Sequence, residues 1–257
     1  MNTPPRYNVL GVGVHALNLS LARETILAAA QGKAGRYVCF CDVNNISCAR
    51  RDPAHLSRLN HSFLTTPDGM PLVWLGKSAG HSQTGRVYGP DLMLEICRAT
   101  AGTEHSHYLF GGGEGTADAL AESLRNRFPG LKIAGTACPP FRPLTQAEAN
   151  DLRKRVEQLA PTFFWVGLST PKQEAFMAEY APRFGVPMML GVGAAFDFLS
   201  GRVRQAPRLI QRSGFEWLWR LCAEPKRLGP RYFKNNPLFV LRVLGQLSRL
   251  KKYPSDF

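Results

Sequence analysis

The order of its strand-like and helix-like segments most limits how this chain can fold. Between Tyr7 and Val192, short apolar runs typical of buried strands alternate with helical patterns. The runs cover residues 7–12, 37–41, 107–110, 131–134, 162–166 and 187–190. The alternation predicts a Rossmann-like α/β fold, with a mostly parallel sheet and helices on both faces. We assign residues 1–200 to this domain and residues 201–257 to a basic helical appendage.

Length and composition agree with one such domain plus an appendage. The chain has 257 residues, of which 44% are hydrophobic, so it can bury a full core. Its six cysteines lack C-x-x-C spacing, which predicts reduced cytosolic thiols. We see no N-terminal apolar signal segment and no apolar run near the ~20 residues that span a bilayer. We therefore expect a soluble or peripheral protein.

Positive charge is concentrated near the C terminus. The net charge is +13, and from Arg202 onward thirteen Lys and Arg residues face three acidic ones. Such a segment suits a nucleic acid, an anionic membrane surface or a phosphorylated ligand. Apolar residues alternate with basic ones over residues 238–252, which favours an interfacial membrane helix over a nucleic-acid arm. A helix packed on the body with a charged outer face fits the same pattern.

A glycine-rich turn follows the apolar run that ends at Phe110. Gly111, Gly112 and Gly113 lead into a helical pattern, an order typical of a phosphate or nucleotide cradle. The turn lacks the P-loop Gly-Lys-Ser/Thr and the full dinucleotide signature. Because Glu114 would repel a nearby phosphate, contact with a ribose or a uracil is the alternative. The nearby His105-x-His107 pair has no evident third ligand, so we expect no metal there.

Two further strand-to-loop junctions carry candidate ligand contacts. Gln173, near a helix start, could bond a sugar hydroxyl or simply cap the first turn. Gly191 and Gly193 would let backbone N–H groups approach a bound group. Asp197 could accept from ribose hydroxyls or pair with a buried arginine. With the arginines that follow Gly201, these features favour a site for a phosphorylated ligand.

Asp68 is the candidate general base. By itself, Asp68-Gly69 reads as a turn. A partly desolvated aspartate at a strand end could also take a proton from an attacking hydroxyl.

Arg86 could anchor a substrate or form a structural ion pair. Asp42 and Asn44 follow another strand and could contact a substrate or cap a helix.

Several segments together resemble the WecG/TagA/CpsF family of bacterial glycosyltransferases (glycosyltransferase family 26). The matches follow the family's order over about residues 36–240. They are TPDGMPLVW at 66–74, RVYGPD at 86–91, GLSTPKQE at 167–174, the stretch 191–201, QAP at 205–207, GFEWLWRL at 214–221 and EPKRL at 224–228.

The resemblance implies roles for individual residues. It makes Asp68 the catalytic base and places Arg86 on a family motif. The family usually carries an asparagine in its sugar pocket where Asp42 stands here, so the transferred sugar stays open. Arginines of the appendage are implied to reach the site and stabilise the leaving diphosphate; the candidates are Arg220, Arg227 and Arg231.

The implied activity is metal-independent, inverting sugar transfer without a cofactor. The sequence has no Asp-x-Asp motif, and guanidinium groups can stabilise a diphosphate instead. The donor would be a UDP-sugar carrying N-acetylmannosamine, its uronic acid or glucose. The acceptor would be a polyprenyl-diphosphate-linked saccharide of cell-surface or exopolysaccharide synthesis. The predicted catalytic residues are Asp68, Arg86 and Gln173. The predicted nucleotide-sugar contacts are Asn44, Gly111, Gly112, Gly113, Gly191, Gly193 and Asp197.

These expectations place the protein on the cytoplasmic face of the membrane, as a peripheral protein that binds an anionic lipid surface and no nucleic acid. A homo-oligomer is compatible with the sequence, which does not determine the oligomeric state. One alternative, a nicotinamide-dependent oxidoreductase, should show a complete G-x-G-x-x-G, but Gly11-x-Gly13 is followed by Ala16. A basic nucleic-acid-binding protein is the other alternative.

Overall fold

The computed structural model describes residues 3–32, 35–255 and 257, apart from the side chains of Arg212 and Arg227. The strands within this part of the chain are β1 Arg6–Val9, β2 Val12–His15, β3 Arg36–Cys41, β4 Leu64–Pro67, β5 Ser106–Gly111, β6 Lys132–Ala137, β7 Phe163–Gly167 and β8 Met188–Gly191.

Helices follow most of the strands. They are α1 Leu19–Ala29, α2 Val43–Ala49, α3 Pro53–Asn60, α4 Met70–Ser78, α5 Gly89–Thr100, α6 Thr116–Arg127, α7 Gln146–Leu159, α8 Lys172–Phe184, α9 Ala195–Leu199, α10 Arg208–Ser213, α11 Glu216–Ala223 and α12 Pro225–Leu247. Thr145 and Glu148 form the capping box of α7, as their spacing predicts.

The main sheet has six strands in the order β4-β3-β8-β7-β5-β6. The pairings of β3 with β8, β8 with β7, β7 with β5 and β5 with β6 are all parallel. The predicted α/β fold with a mostly parallel sheet is therefore confirmed. Parallel order brings the carboxyl ends of the strands to one edge of the sheet, where ligands of such folds bind.

The prediction of a single strand over residues 7–12 is wrong. This stretch is an antiparallel hairpin in which Arg6 pairs with His15 and Val9 with Val12, in a two-stranded sheet of its own. The turn lies at Leu10 and Gly11, which both have positive φ, 54° and 94°. Two positive φ values at the centre of a two-residue turn match the twist of a hairpin.

The chain is organised as two compact units. The first contains Met1–Asn18, Phe40–Tyr88 and Gln205–Phe257, and the second contains Leu19–Cys39 and Gly89–Arg204. Both units are interleaved along the sequence. The predicted division into residues 1–200 and 201–257 stays a prediction about the domains.

The hairpin is central to the first unit. The backbone N–H of Thr65 in β4 donates to His15 Nδ1 over 3.0 Å, and the Tyr7 hydroxyl donates to the Leu72 carbonyl of α4 over 2.8 Å. Gln246 near the end of α12 bonds the backbone of the hairpin in both directions, accepting from Leu10 N–H and donating to the Asn8 carbonyl. The end of the last helix is thus fixed to the start of the chain.

Aromatic packing dominates the core of the second unit. Phe163, Phe164 and Trp165 of β7 are fully buried, and Tyr108 stacks on Phe164 with ring centroids 5.1 Å apart. Aromatic side chains bury a large apolar area and pack in such offset pairs. This layer holds β5 and β7 in place, and their carboxyl ends carry predicted ligand contacts.

His107 is part of this core. The Trp165 indole N–H donates to His107 Nδ1 over 3.0 Å, and Nε2 lies 2.9 Å from Thr100 Oγ1. Burial lowers the pKa of His107 to about 3, so the ring is neutral. His107 of the H-x-H pair is therefore explained by core packing.

We expect Gly111→Ala to destabilise the protein by about 3 kcal/mol or more, because it combines a disfavoured φ with a backbone clash. Gly111 has φ 141°, and a Cβ there would lie 2.6 Å from the backbone of Gly167. Gly102→Ala is the matched control, since Gly102 has φ 74° with nothing within 4 Å of a new Cβ. Its cost should be about 1 kcal/mol. Urea unfolding measures both, and equal losses would contradict the proposed clash.

Candidate active site

The first unit contains a cavity of about 580 Å³. Its lining includes residues from the start of α2, the loop after β4, helix α4, the segment before α5, and helices α11 and α12. The predicted site residues that the cavity brings together are Asn44, Asp68, Arg86, Arg220 and Arg231.

Asp68 lies directly after β4. Its backbone N–H donates to the Cys41 carbonyl at the end of β3 over 2.9 Å, and Gly69 is the N-cap of α4. The carboxyl group is partly buried and lines the cavity. A strand end followed at once by a helix start therefore fixes the position of this carboxyl group.

Arg86 connects Asp68 to the C-terminal segment. Its Nε donates to the Asp68 backbone carbonyl over 2.5 Å, and Nη2 lies 3.4 Å from Asp68 Oδ1. Nη2 also lies 2.6 Å from Glu216 Oε2, while Nη1 donates to the Gln211 carbonyl over 3.1 Å. The guanidinium packs over the ring of Tyr88, 4.2 Å from its centroid. These contacts occupy the guanidinium on several sides, so its orientation is fixed.

The environment of Asp68 makes its carboxyl group a weak acid. Burial raises the pKa of Asp68 to about 7; Arg86 opposes this rise, and the negative charge of Glu216 adds to it. Burial alone would lower the pKa of Arg86, but the charges of Asp68 and Glu216 outweigh that effect and raise it. At neutral pH a cationic Arg86 thus faces a carboxyl group able to take up and release a proton.

Asp42 and Asn44 lie beside this group at the start of α2. The Asp42 side chain caps the helix by accepting from Asn45 N–H over 2.8 Å. Asn44 Oδ1 accepts from the Asn235 side chain of α12 over 3.3 Å. Arg51 Nη1 donates to the same Asn235 over 3.0 Å, so α2 and α12 are joined by a polar contact at the cavity wall.

Two of the three predicted appendage arginines line the cavity. Arg220 extends from α11, and its charge lowers the pKa of Asp68. Arg231 lies on α12, where its guanidinium packs over Tyr232 at 5.0 Å. In the described part of the chain, Arg231 Nε is buried without a hydrogen-bond partner. Arg227 also lies on α12, but its side chain is outside the described residues.

One wall of the cavity is apolar. Trp74 of α4 is 54% exposed although it lies at the cavity, and Trp217 of α11 is also partly exposed. The other apolar lining residues come from α4 and α12: Met70, Leu75, Phe239, Val240, Val243 and Leu244. A polar end with charged groups and an apolar wall thus meet in the same cavity.

The predicted glycine loop belongs to the second unit. Gly112 N–H donates to the Gly167 carbonyl over 3.1 Å, so the loop lies directly against the end of β7. Arg202 Nη2 donates to the Glu114 carbonyl over 2.7 Å and covers the loop from one side. Thr116, the first residue of α6, is fully buried behind Gly112.

Gln173, Gly191 and Gly193 form a second cluster in that unit. Gln173 is buried, and its Nε2 donates to the Gly191 carbonyl over 2.7 Å. A Cβ at Gly193 would lie 3.3 Å from Gln173 Oε1, an atom with no hydrogen-bond partner in the described residues. Asp197 lies on α9, where its backbone carbonyl accepts from Val203 N–H.

Sequence reasoning missed Glu216, Tyr88 and Trp74 as members of the site. Glu216 stands out in the sequence as an acidic residue in a basic segment, and that signal could have identified it. Tyr88 and Trp74 lie in the segments RVYGPD and TPDGMPLVW that carry the family resemblance, but no charge singles them out there.

The described residues contain no group of three or more His, Cys, Asp or Glu side chains that could hold a metal ion. None of the described helices combines the length and hydropathy that crossing a bilayer requires.

These features define a class of protein. A carboxyl group with a raised pKa, several guanidinium groups and an apolar wall suit an enzyme that transfers a group to or from a phosphorylated substrate with an apolar part. The chain matches the model of the Glycosyl transferase WecG/TagA/CpsF family over residues 7–253, and it belongs to that family. The resemblance seen in the sequence is confirmed, and the protein is a glycosyltransferase.

Two curated relatives share the name N-acetylglucosaminyldiphosphoundecaprenol N-acetyl-beta-D-mannosaminyltransferase. The protein of that name from Staphylococcus aureus (strain MRSA252) is 22% identical over 249 residues, which are 96% of this chain and 95% of the relative. The one from Bacillus spizizenii (strain ATCC 23059 / NRRL B-14472 / W23) is 27% identical over 199 residues, or 76% and 74% of the two chains.

We expect Asp68→Asn to stabilise the protein, and more so at high pH. The pKa of Asp68 is raised in the folded state, so the unfolded chain releases this proton at lower pH than the folded protein does. The free energy of unfolding therefore falls as the pH rises toward and through about 7. Asparagine cannot ionise, so its advantage should grow by about 2–3 kcal/mol between pH 5 and pH 8. Urea unfolding at the two pH values measures this.

Asp151→Asn, at an exposed position of α7, is the control for the loss of one carboxyl group. A stability gain for Asp68→Asn that is the same at both pH values would contradict a raised pKa.

Proposed function

We propose that this glycosyltransferase moves a sugar, with inversion, from a UDP-sugar to a polyprenyl-diphosphate-linked saccharide. The observation that carries the proposal is the placement of Asp68, Arg220 and Arg231 in one cavity that also has an apolar wall. Each part of such a substrate then has a matching group: a hydroxyl for the carboxylate, a diphosphate for the arginines and a hydrocarbon chain for the wall.

Asp68 is the general base in this proposal. Its carboxylate accepts the proton of the acceptor hydroxyl while that oxygen forms a bond to the anomeric carbon of the donor sugar. The bond between the same carbon and the UDP oxygen breaks, and the electron pair leaves with UDP. A base is most effective when its pKa lies near the working pH, and about 7 meets that condition. Arg86 keeps the carboxyl group in position.

Arg220 and Arg231 stabilise the leaving diphosphate in this mechanism. Guanidinium groups bond phosphate oxygens in pairs and act on charge that develops during the reaction. The Nε of Arg231 supports this role, because among the described residues it is a buried donor without a partner and can donate to a ligand oxygen. Arg227 keeps its predicted role as a third such group.

The names of the relatives favour one substrate pair. They denote transfer of N-acetylmannosamine to an undecaprenol-linked N-acetylglucosaminyl diphosphate, and we propose the same class of donor and acceptor here, for cell-envelope polymer synthesis. Asp42 stands where the family usually has an asparagine, so the uronic acid and glucose are the alternatives. The apolar wall around Trp74 supports an acceptor with a hydrocarbon chain.

We keep the predicted nucleotide-sugar contacts as part of this proposal. Gln173 Oε1 is an acceptor free of other hydrogen bonds among the described residues, which suits a sugar hydroxyl. The loop of Gly111, Gly112 and Gly113 approaches the α6 N-terminus, where a nucleotide can be bound. Gly191, Gly193 and Asp197 complete the proposed set.

We propose a peripheral position on the cytoplasmic membrane surface. Phe233, Leu241 and Leu247 of α12 are each at least 60% exposed, and Leu209 of α10 is 82% exposed. Exposed apolar side chains next to Lys and Arg are typical of surfaces that bind anionic lipid. Among the alternatives, family membership favours this enzyme over an oxidoreductase or a nucleic-acid-binding protein.

The experiment that tests the activity is a donor screen for UDP release, with a synthetic lipid-diphosphate-linked N-acetylglucosamine as acceptor. We expect UDP-N-acetylmannosamine to be consumed only when the lipid acceptor is present, and equally well with and without EDTA. Asp68→Asn should lower the rate at least 100-fold, because it removes the base. For the wild type, kcat/KM should rise with pH and level off above about 7. Near-normal transfer by Asp68→Asn, or activity lost in EDTA and restored by magnesium, would refute the mechanism.

Arg220→Ala and Arg231→Ala test the diphosphate role. We expect each to lower kcat by about 10-fold to 1000-fold, since stabilisation of transition-state charge is lost. Lys234→Ala is the matched control, because Lys234 is an exposed cation on the same helix as Arg231 and does not line the cavity. Steady-state kinetics with a short-chain acceptor in detergent separate kcat from membrane binding. Losses for Lys234→Ala as large as those for the arginines would contradict the assignment.

A further inference from the structure

Glu216 has a place in the cavity that the proposed mechanism does not use. It is the first residue of α11 and is buried, with only 9% of its surface exposed. Its Oε2 lies 2.6 Å from Arg86 Nη2, whereas the same nitrogen lies 3.4 Å from Asp68 Oδ1. One guanidinium nitrogen therefore faces two carboxylates and is closer to the one outside the reaction.

A buried carboxylate in this position costs free energy unless it is paired. A single carboxylate would be sufficient to pair with Arg86, because an Arg–Asp ion pair neutralises both charges. Such a pair would hold Asp68 as a firmly ionised, weakly basic group. The observed arrangement instead divides the guanidinium between Asp68 and Glu216.

We propose that Glu216 is a positioning residue: it holds Arg86 away from a full ion pair with Asp68, so that the Asp68 carboxylate remains a strong enough base. The inference rests on the proposed role of Asp68 as general base. Arg86 acts through its contacts with both carboxylates.

The Gln211 carbonyl supports this role from the same segment. Arg86 Nη1 donates to it over 3.1 Å, so the C-terminal segment holds the guanidinium at two nitrogens. Gln211 itself is buried, and its side chain donates to the Ala206 carbonyl over 2.7 Å, which fixes the start of α10. Arg86 is thereby directed by residues that are distant in sequence from Asp68.

Asp68 is surrounded by charged and titratable groups from several elements. Arg86 and Tyr88 face it from the segment before α5, Glu216 and Arg220 from α11, and Asp42 from the start of α2. Arg231 of α12 lines the same cavity. Burial is the largest cause of the raised pKa of Asp68, and the negative charges of Glu216 and Asp42 act in the same direction.

The test is Glu216→Gln, which keeps the shape of the side chain and removes its charge. Two effects then act together: Asp68 loses a repelling charge, and Arg86 is released toward it. Both lower the pKa of Asp68. We expect the acid limb of the kcat/KM profile to move by about one pH unit to lower pH, with a lower plateau from the weaker base.

A second readout does not depend on activity. The Asp68 side-chain carboxyl can be titrated by ¹³C NMR in protein with labelled aspartate, with Asp68→Asn identifying the signal. Its midpoint should move in the same direction in Glu216→Gln. Glu216→Asp retains the charge and should bring both the NMR midpoint and the acid limb back toward the wild type.

Two controls separate this role from a merely structural one. Glu179→Gln removes a carboxylate from an exposed ion pair with Arg183 on α8 and should leave the profile unchanged. Thermal unfolding identifies a temperature at which all variants are folded, and Glu216→Met serves as a second uncharged variant if the amide is not tolerated.

The outcomes are distinguishable. If Asp68→Asn retains transfer, the general-base proposal itself fails. If Asp68→Asn is inactive while the uncharged Glu216 variants keep the acid limb and the NMR midpoint of the wild type, only the role of Glu216 is overturned. If the uncharged Glu216 variants have a lower rate but neither the acid limb nor the NMR midpoint moves, the effect is structural and the proposed role of Glu216 is also overturned.

Discussion

The site depends on one interaction, the division of the Arg86 guanidinium between two carboxylates. Arg86 binds both the backbone and the side chain of Asp68, and it binds Glu216 and Gln211 of the C-terminal segment. A partly buried cation needs such partners, because its charge is costly to desolvate. The same contacts that satisfy Arg86 therefore join the proposed base to helices α10 and α11.

Five strands of the main sheet, β3, β5, β6, β7 and β8, were predictable from the sequence because their signal is local, whereas β4 was not among the predicted runs. Each apolar run has the length of a buried strand and is followed by a helical pattern, and that order determines parallel pairing. The hairpin at residues 6–15 was not predictable in the same way. Its turn uses Leu10 at positive φ, a conformation that leucine rarely adopts by itself. Here Leu10 is buried and its N–H bonds Gln246 of α12, so a distant helix stabilises the turn.

The candidate site was predictable only in part. From residue types alone, Asp68-Gly69 would have been a turn, and the family resemblance gave it a chemical role. Glu216 stands out in the sequence as an acidic residue in a basic segment, but its partner does not, since its contact with Arg86 joins segments far apart in the chain. The buried His107 shows the opposite case, in which a pattern of metal-ligand type serves core packing. Residue spacing identifies a site when its residues are close in sequence. It does not when the fold brings together residues from distant segments.

The first unit is assembled from three separate stretches, the last of which begins at Gln205. During synthesis on the ribosome, the hairpin emerges before α12 and lacks the partner that Gln246 supplies. Contacts between distant parts of a chain form late because long loops must close first. The cavity can therefore be completed only after α12 has been synthesised, so a nascent chain that ends before this helix has no assembled site.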